Sequence, residues 1–104
     1  MGAEVRQLVS IVKDPNQDVT KRSEAAMRLG QLRARSAVSH LVGLLPGNYD
    51  RLTLYVVAAL GEIGDPAALE RLHVMDSDES VIMPGQISAA LRAAIKKIES
   101  PQRS

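Results

Sequence analysis

The chain repeats itself, and a repeat of this length leaves few architectures open. Shifted by 31 residues, Arg28-Leu29-Gly30-Gln31-Leu32 falls on Ala59-Leu60-Gly61-Glu62-Ile63, so that Leu29 meets Leu60 and Gly30 meets Gly61. In the same register Ala37 meets Ala68, Val38 meets Leu69 and Leu41 meets Leu72. A third copy lies 35 residues further on, where AAIKKI (93–98) matches AALGEI (58–63). The four extra residues fall in DSDESVIMPG (76–85). A half copy opens the chain, since VRQLVSIV (5–12) resembles VSHLVGLL (38–45). Self-similarity at this period, with helical spacing, means helical hairpins stacked so that each buries its apolar face on the next.

Apolar spacing and end signals place six helices. Residues 3–13 carry Val5, Leu8, Val9 and Val12 on one face, and Asp14-Pro15-Asn16 ends the segment. Residues 18–32 turn Ala25, Ala26, Leu29 and Leu32 inward, with Asp18 as N-cap. Residues 35–45 use Val38, Leu41, Val42 and Leu45, and Pro46-Gly47-Asn48 stops them. Residues 50–63 use Leu52, Val56, Val57, Leu60 and Ile63; residues 66–75 and 86–99 complete the set, the last ending before Pro101. The chain therefore reads as one all-α domain over 1–104: a half-repeat (3–13), two repeats (18–45 and 50–75) and a capping helix (86–99).

The segment AALGEIGDPAALERL (58–72) carries three helix breakers in six residues, although an interior glycine costs a helix about 1 kcal/mol and a proline about 3. Gly64 supplies the positive φ that a helix C-terminus wants. Asp65 caps the next helix, and Pro66 sits in its first turn, where a missing N–H does no harm. Gly61 is interior, so its reason is steric: without a Cβ, the paired helix approaches closely. Gly30, one repeat earlier, accepts the same cost.

This segment resembles the HEAT repeat, in the short bacterial form named after phycobilisome lyases, in which Ala-Leu-Gly-x-Ile-Gly is followed by Asp-Pro and a second helix. The resemblance is strong over 56–72, good over 25–45 and weaker over 86–98. The first repeat departs at its turn, with Arg33-Ala34-Arg35 for Gly-Asp-Pro, and the last has Lys96-Lys97 for Gly-Glu. The resemblance implies a right-handed α–α superhelix, a HEAT/armadillo-like solenoid of about three repeats. It also implies a concave ligand surface formed by the second helix of each repeat.

Composition narrows the function. Apolar residues make up 45% of the chain, nearly all small aliphatics, with no Phe, Trp or Cys, which suits close-packed helices. A net charge of +1 gives no global attraction to nucleic acid or membranes, and no apolar run approaches a membrane span. The expected setting is cytoplasmic and reducing. Arg6 stands where a myristoylation motif wants Ser or Thr.

No catalytic constellation emerges, and no cofactor or metal is expected. With two histidines, His40 and His73, and no cysteine, a metal site would need a carboxylate-rich cluster as well. His73 shares its register position with Val42, predicting a buried or half-buried packing role. DSDES (76–80) begins like a calcium loop but has Val81 where glycine is required and Ile87 where glutamate is required. Lys21, Arg22, Arg28, Arg33 and Arg35 cluster around the second helix, which the family arrangement places on the convex side. With only two tyrosines, base-stacking platforms are scarce.

The candidate partner-binding strip is then the outward side of the remaining helices: Arg6, Gln7 and Ser10; Ser39, His40 and Gly43; Glu70, Arg71 and Val74. Its mixed polarity suits a protein or peptide. The expected function is a non-enzymatic interaction or scaffold module, with self-association through exposed end helices as a further expectation. The alternatives are an accessory subunit of a tetrapyrrole lyase-like system or a nucleic-acid-binding HEAT protein.

Overall fold

The computed structural model describes residues 2–100. Its helices are α1 (Ala3–Lys13), α2 (Val19–Gln31), α3 (Val38–Val42), α4 (Arg51–Ile63), α5 (Leu69–Ser77) and α6 (Gly85–Glu99). Single 3-10 turns, Arg35–Ala37 and Pro66–Ala68, lead into α3 and α5. No strand occurs among the described residues. The helices form a slab 38 × 37 × 17 Å, the thickness of two helical layers.

Caps set the boundaries. The Asp18 carboxylate accepts from the Lys21 amide at 2.8 Å, Asp50 from the Thr53 amide at 3.2 Å, and Asp65 from the Ala67 amide at 3.0 Å. Each satisfies a backbone donor that the first helical turn leaves unpaired. Pro66 occupies the first turn after its cap, and Gly64 ends α4 at φ 76°. One repeat earlier, Arg33 takes this left-handed geometry at φ 51°. Its amide donates to the Gly30 carbonyl and the Ala34 amide to that of Leu29, which closes α2 in a Schellman motif without glycine.

Two expectations about helices need adjustment. The third helix stops at Val42 rather than at residue 45, because the Leu44 and Leu45 amides donate to carbonyls three residues back and tighten the last turn. The fifth runs on to Ser77, two residues beyond the expected end. Pro101, the expected stop after α6, lies outside the described residues.

The core follows the repeat. Leu29, Leu41, Leu60, Leu72 and Leu91 are all fully buried, with Val12, Val56 and Val57 between them. Gly61 does its work elsewhere than expected. A Cβ there would meet Ala94 of α6, the next helix of the same layer, and not the hairpin partner α5. Gly30 likewise meets Ala59 of α4. The interior glycines set the spacing between successive repeats; they do not close a hairpin.

A second pair of equivalent positions ties each helix to the turn before it. Arg22 Nε donates to the Val12 carbonyl at 3.0 Å, and Thr53 Oγ1 donates to the Pro46 carbonyl at 3.1 Å. The two residues stand one repeat apart. Both satisfy carbonyls that the end of a preceding segment leaves open.

Candidate functional site

The helices sort into two layers of unequal continuity. In one, α2 packs along α4 and α4 along α6. In the other, α1, α3 and α5 touch one another far less, and α3 meets chiefly the turn that leads into α5.

Of the nine strip residues, all are exposed except His40, which is half-buried. Arg6, Ser10 and His40 come together, with Val9, Lys13 and Asp14, around an open depression of about 380 Å³ between α1 and α3. Ser39 belongs to a separate depression with Arg35, Val38, Val42, Asp65 and Ala67. Gly43 caps α3, while Glu70, Arg71 and Val74 stand outward on α5, Val74 at 56% exposure. The third helix of the strip therefore stands apart from both depressions.

His73 departs from expectation. Its side chain is half exposed and its Nε2 lies 2.9 Å from Glu99 Oε2. Val42, its counterpart, is half-buried beside Asp65 and Ala67 of the following turn. His73 has only α6 beside it among the described residues, so the same position opens onto a groove.

The outward face of the closely packed layer was not singled out from the sequence. Thr20, Glu24, Met27 and Gln31 lie along one side of α2. Arg51, Tyr55, Ala58 and Glu62 occupy the equivalent line on α4, and Gln86, Ala90, Ala93 and Lys97 the line on α6. Cross-helix contacts hold these lines in register. Arg51 Nη1 donates to Thr20 Oγ1 at 3.2 Å at one end, and Lys97 pairs with Glu62 at the other. The Lys97 ammonium holds the Glu62 carboxyl below its ordinary range, aided by the charge of Arg33 and opposed by slight burial. Between these polar ends runs an apolar row: Met27, 45% exposed, with Ala58 and Ala93, both exposed. Beside it Leu54 and Tyr55, with Arg51, Pro84, Gln86 and Ile87, line a depression of about 380 Å³ between α4 and α6. The signal lies in the sequence, because the repeat shifts of 31 and then 35 residues align Met27, Ala58 and Ala93. Alanines on a helix are equally well explained by packing, so the pattern does not by itself mark a surface.

A family model of HEAT repeats matches residues 5–83, spanning α1 to the loop before α6. The chain belongs to the HEAT repeat family. HEAT repeats generally build scaffolds for protein–protein interaction. A comparison with curated proteins finds no match.

Within this HEAT array two of the basic residues near α2 are engaged with other groups. Arg22 is half-buried on the Val12 carbonyl, and Arg28 Nε donates to Glu4 Oε2 at 3.1 Å. Arg33 sits in the turn after α2 near Glu62, and Arg35 lines the depression beside Asp65. Among the described residues, no three His, Asp or Glu side chains are placed to hold a metal ion, and no helix is long and apolar enough to cross a membrane.

Proposed function

We propose that this HEAT-repeat protein is a non-enzymatic interaction module that holds a partner protein or peptide on the outward face of α2, α4 and α6. The observation that carries this reading is the apolar row Met27–Ala58–Ala93, left open between the Thr20–Arg51 and Glu62–Lys97 contacts. The continuous packing of α2 along α4 and of α4 along α6 makes this face a single surface. The expectation from the family arrangement puts the partner on α1, α3 and α5 instead. An apolar centre with a polar rim is the usual anatomy of a protein interface. Alanines at 58 and 93 keep the floor low, and Leu54 and Tyr55 offer a recess for one larger apolar side chain.

The strip on α1 and α3 supports a second reading, because Arg6, Ser10 and His40 share one depression with Lys13. Capture from the native host lysate separates the two surfaces. Ala58→Glu/Ala93→Glu is expected to abolish capture of proteins retained by the wild type, with helical circular dichroism unchanged. Arg6→Glu/His40→Glu is expected to leave capture intact. The opposite pattern moves the site to α1 and α3, and capture unaffected by either pair rejects both surfaces.

A further inference from the structure

The register that aligns Gly30 with Gly61 runs on to Lys96, and the one that aligns Ala26 with Val57 runs on to Arg92. On α4, Val57 and Gly61 lie one turn apart on a buried side, and Gly61 faces α6 at backbone distance. On α6 the same two positions are exposed charge. Arg92 and Lys96 line an open groove of about 380 Å³ between α5 and α6, floored by Ile95 and shared with His73, Asp76, Glu99 and Ser100. Here a further helix of the stack would have to lie.

The other edge of the layer is matched to it. Ala59 and Ala94 receive the two glycines, and the equivalent residue on α2 is Arg28. Its side chain is 48% exposed and held by Glu4 of α1. Thus the edge that would offer a glycine offers lysine, and the edge that would receive it with alanine carries arginine.

We propose that Arg28, Arg92 and Lys96 close the α2–α4–α6 layer at both edges, so that a second copy of the chain cannot continue the stack by laying its α2 against α6. Three physical effects act together. The lysine stem fills the space that Gly61 leaves to Ala94. Burying Arg92 and Lys96 would strip them of water together with Asp76 and Glu99, which share their groove, and a desolvated cluster of this kind costs more than an apolar contact. Head-to-tail docking would also set Lys96 of one copy against Arg28 of the next, cation facing cation. A heterologous contact of this kind does not close on itself and would grow into open chains, which charged edges prevent. Charged edges of this kind would oppose the self-association expected of exposed end helices.

Light scattering after size exclusion tests the proposal across a range of concentrations. The wild type is expected to keep the single-chain mass of 11.2 kDa. Arg28→Ala/Arg92→Val/Lys96→Gly, which restores the interior register at both edges, is expected to associate, its mass rising with concentration to at least double. Arg28→Ala/Arg92→Val/Lys96→Ala adds no glycine to α6 and is expected to show a smaller rise, which guards against a variant that fails to fold. Far-ultraviolet circular dichroism confirms helix in both. Folded variants that both remain at the single-chain mass overturn the proposal. So does a wild type that already associates and loses the association on Lys96→Ala.

Discussion

Gly61 and Ala94 meet backbone to backbone: a Cβ on the glycine would lie 2.9 Å from the alanine's Cα. The Gly30–Ala59 contact repeats the arrangement one helix earlier, at the same 2.9 Å. These two contacts fix how closely α2, α4 and α6 lie. They thereby fix the continuity of the face on which Met27, Ala58 and Ala93 are aligned. Spacing and candidate surface share one cause.

Gly61→Ala therefore sets two effects against each other. Alanine favours the helix by about 1 kcal/mol. The added methyl must displace the α6 backbone, however, and overpacking of this kind costs about 1–3 kcal/mol. The variant is expected to be less stable than the wild type by about 1–2 kcal/mol, read by urea denaturation. Adding Ala94→Gly is expected not to restore it, because the nearest obstacle is the Ala94 Cα and not its side chain. A stabilised Gly61→Ala protein would show that the layer has slack.

Arg33→Gly is expected to move stability the other way. Arg33 holds the left-handed conformation that Gly64 holds in the next turn, and a residue with a Cβ pays about 1–2 kcal/mol there. Glycine removes that strain but gains freedom in the unfolded chain, which returns part of the benefit. A net gain of about 0.5–1 kcal/mol is expected, or a few degrees in thermal midpoint for a chain of this size. A lower midpoint would mean that the Arg33 side chain contributes more than its backbone costs.

How far the sequence could be read follows from what each residue answers to. Asp18, Asp65, Pro66 and Gly64 act on their own few neighbours, so their roles follow from local rules and recur in the structure as capped ends. The reason for Gly61 was legible only as closeness, because which helix approaches is a property of the stack. His73 misled for the same reason. Its register position is half-buried where another turn covers it, as at Val42, whereas His73 opens onto the groove beside α6. The Thr20–Arg51 and Glu62–Lys97 contacts join residues 31 and 35 apart. The repeat register predicts such neighbours only once it is applied to exposed positions as well as to the core.

Thr53→Val tests the tie between repeats. Thr53 is 3% exposed, and its hydroxyl reaches the Pro46 carbonyl. Valine matches the shape and leaves that carbonyl without its donor, at a cost of about 1–3 kcal/mol. Thr53→Ser, which keeps the hydroxyl and loses a methyl, is expected to retain more of the stability than Thr53→Val. The reverse order in a denaturation series would assign Thr53 to packing alone.

The Glu62–Lys97 pair adds a small acid sensitivity with a definite sign. The Glu62 carboxyl is held below the ordinary carboxylate range, first by its hydrogen bond to Lys97, against slight burial, and then by the charges of Lys97 and Arg33. A carboxylate whose folded pKa is depressed contributes stability that is present above the unfolded value and lost as pH falls through the folded one. Both side chains are about half exposed, 56% for Lys97 and 48% for Glu62. Solvent screening therefore keeps the contribution within about 1 kcal/mol. Glu62→Gln removes the charge and keeps the shape. The wild type is expected to exceed it in thermal midpoint at pH 7 by a few degrees at most, with the gap narrowing as pH falls below about 4.5. Added salt is expected to shrink the gap at pH 7 as well. A gap that persists at pH 3 would place the stabilisation in packing and not in the ion pair.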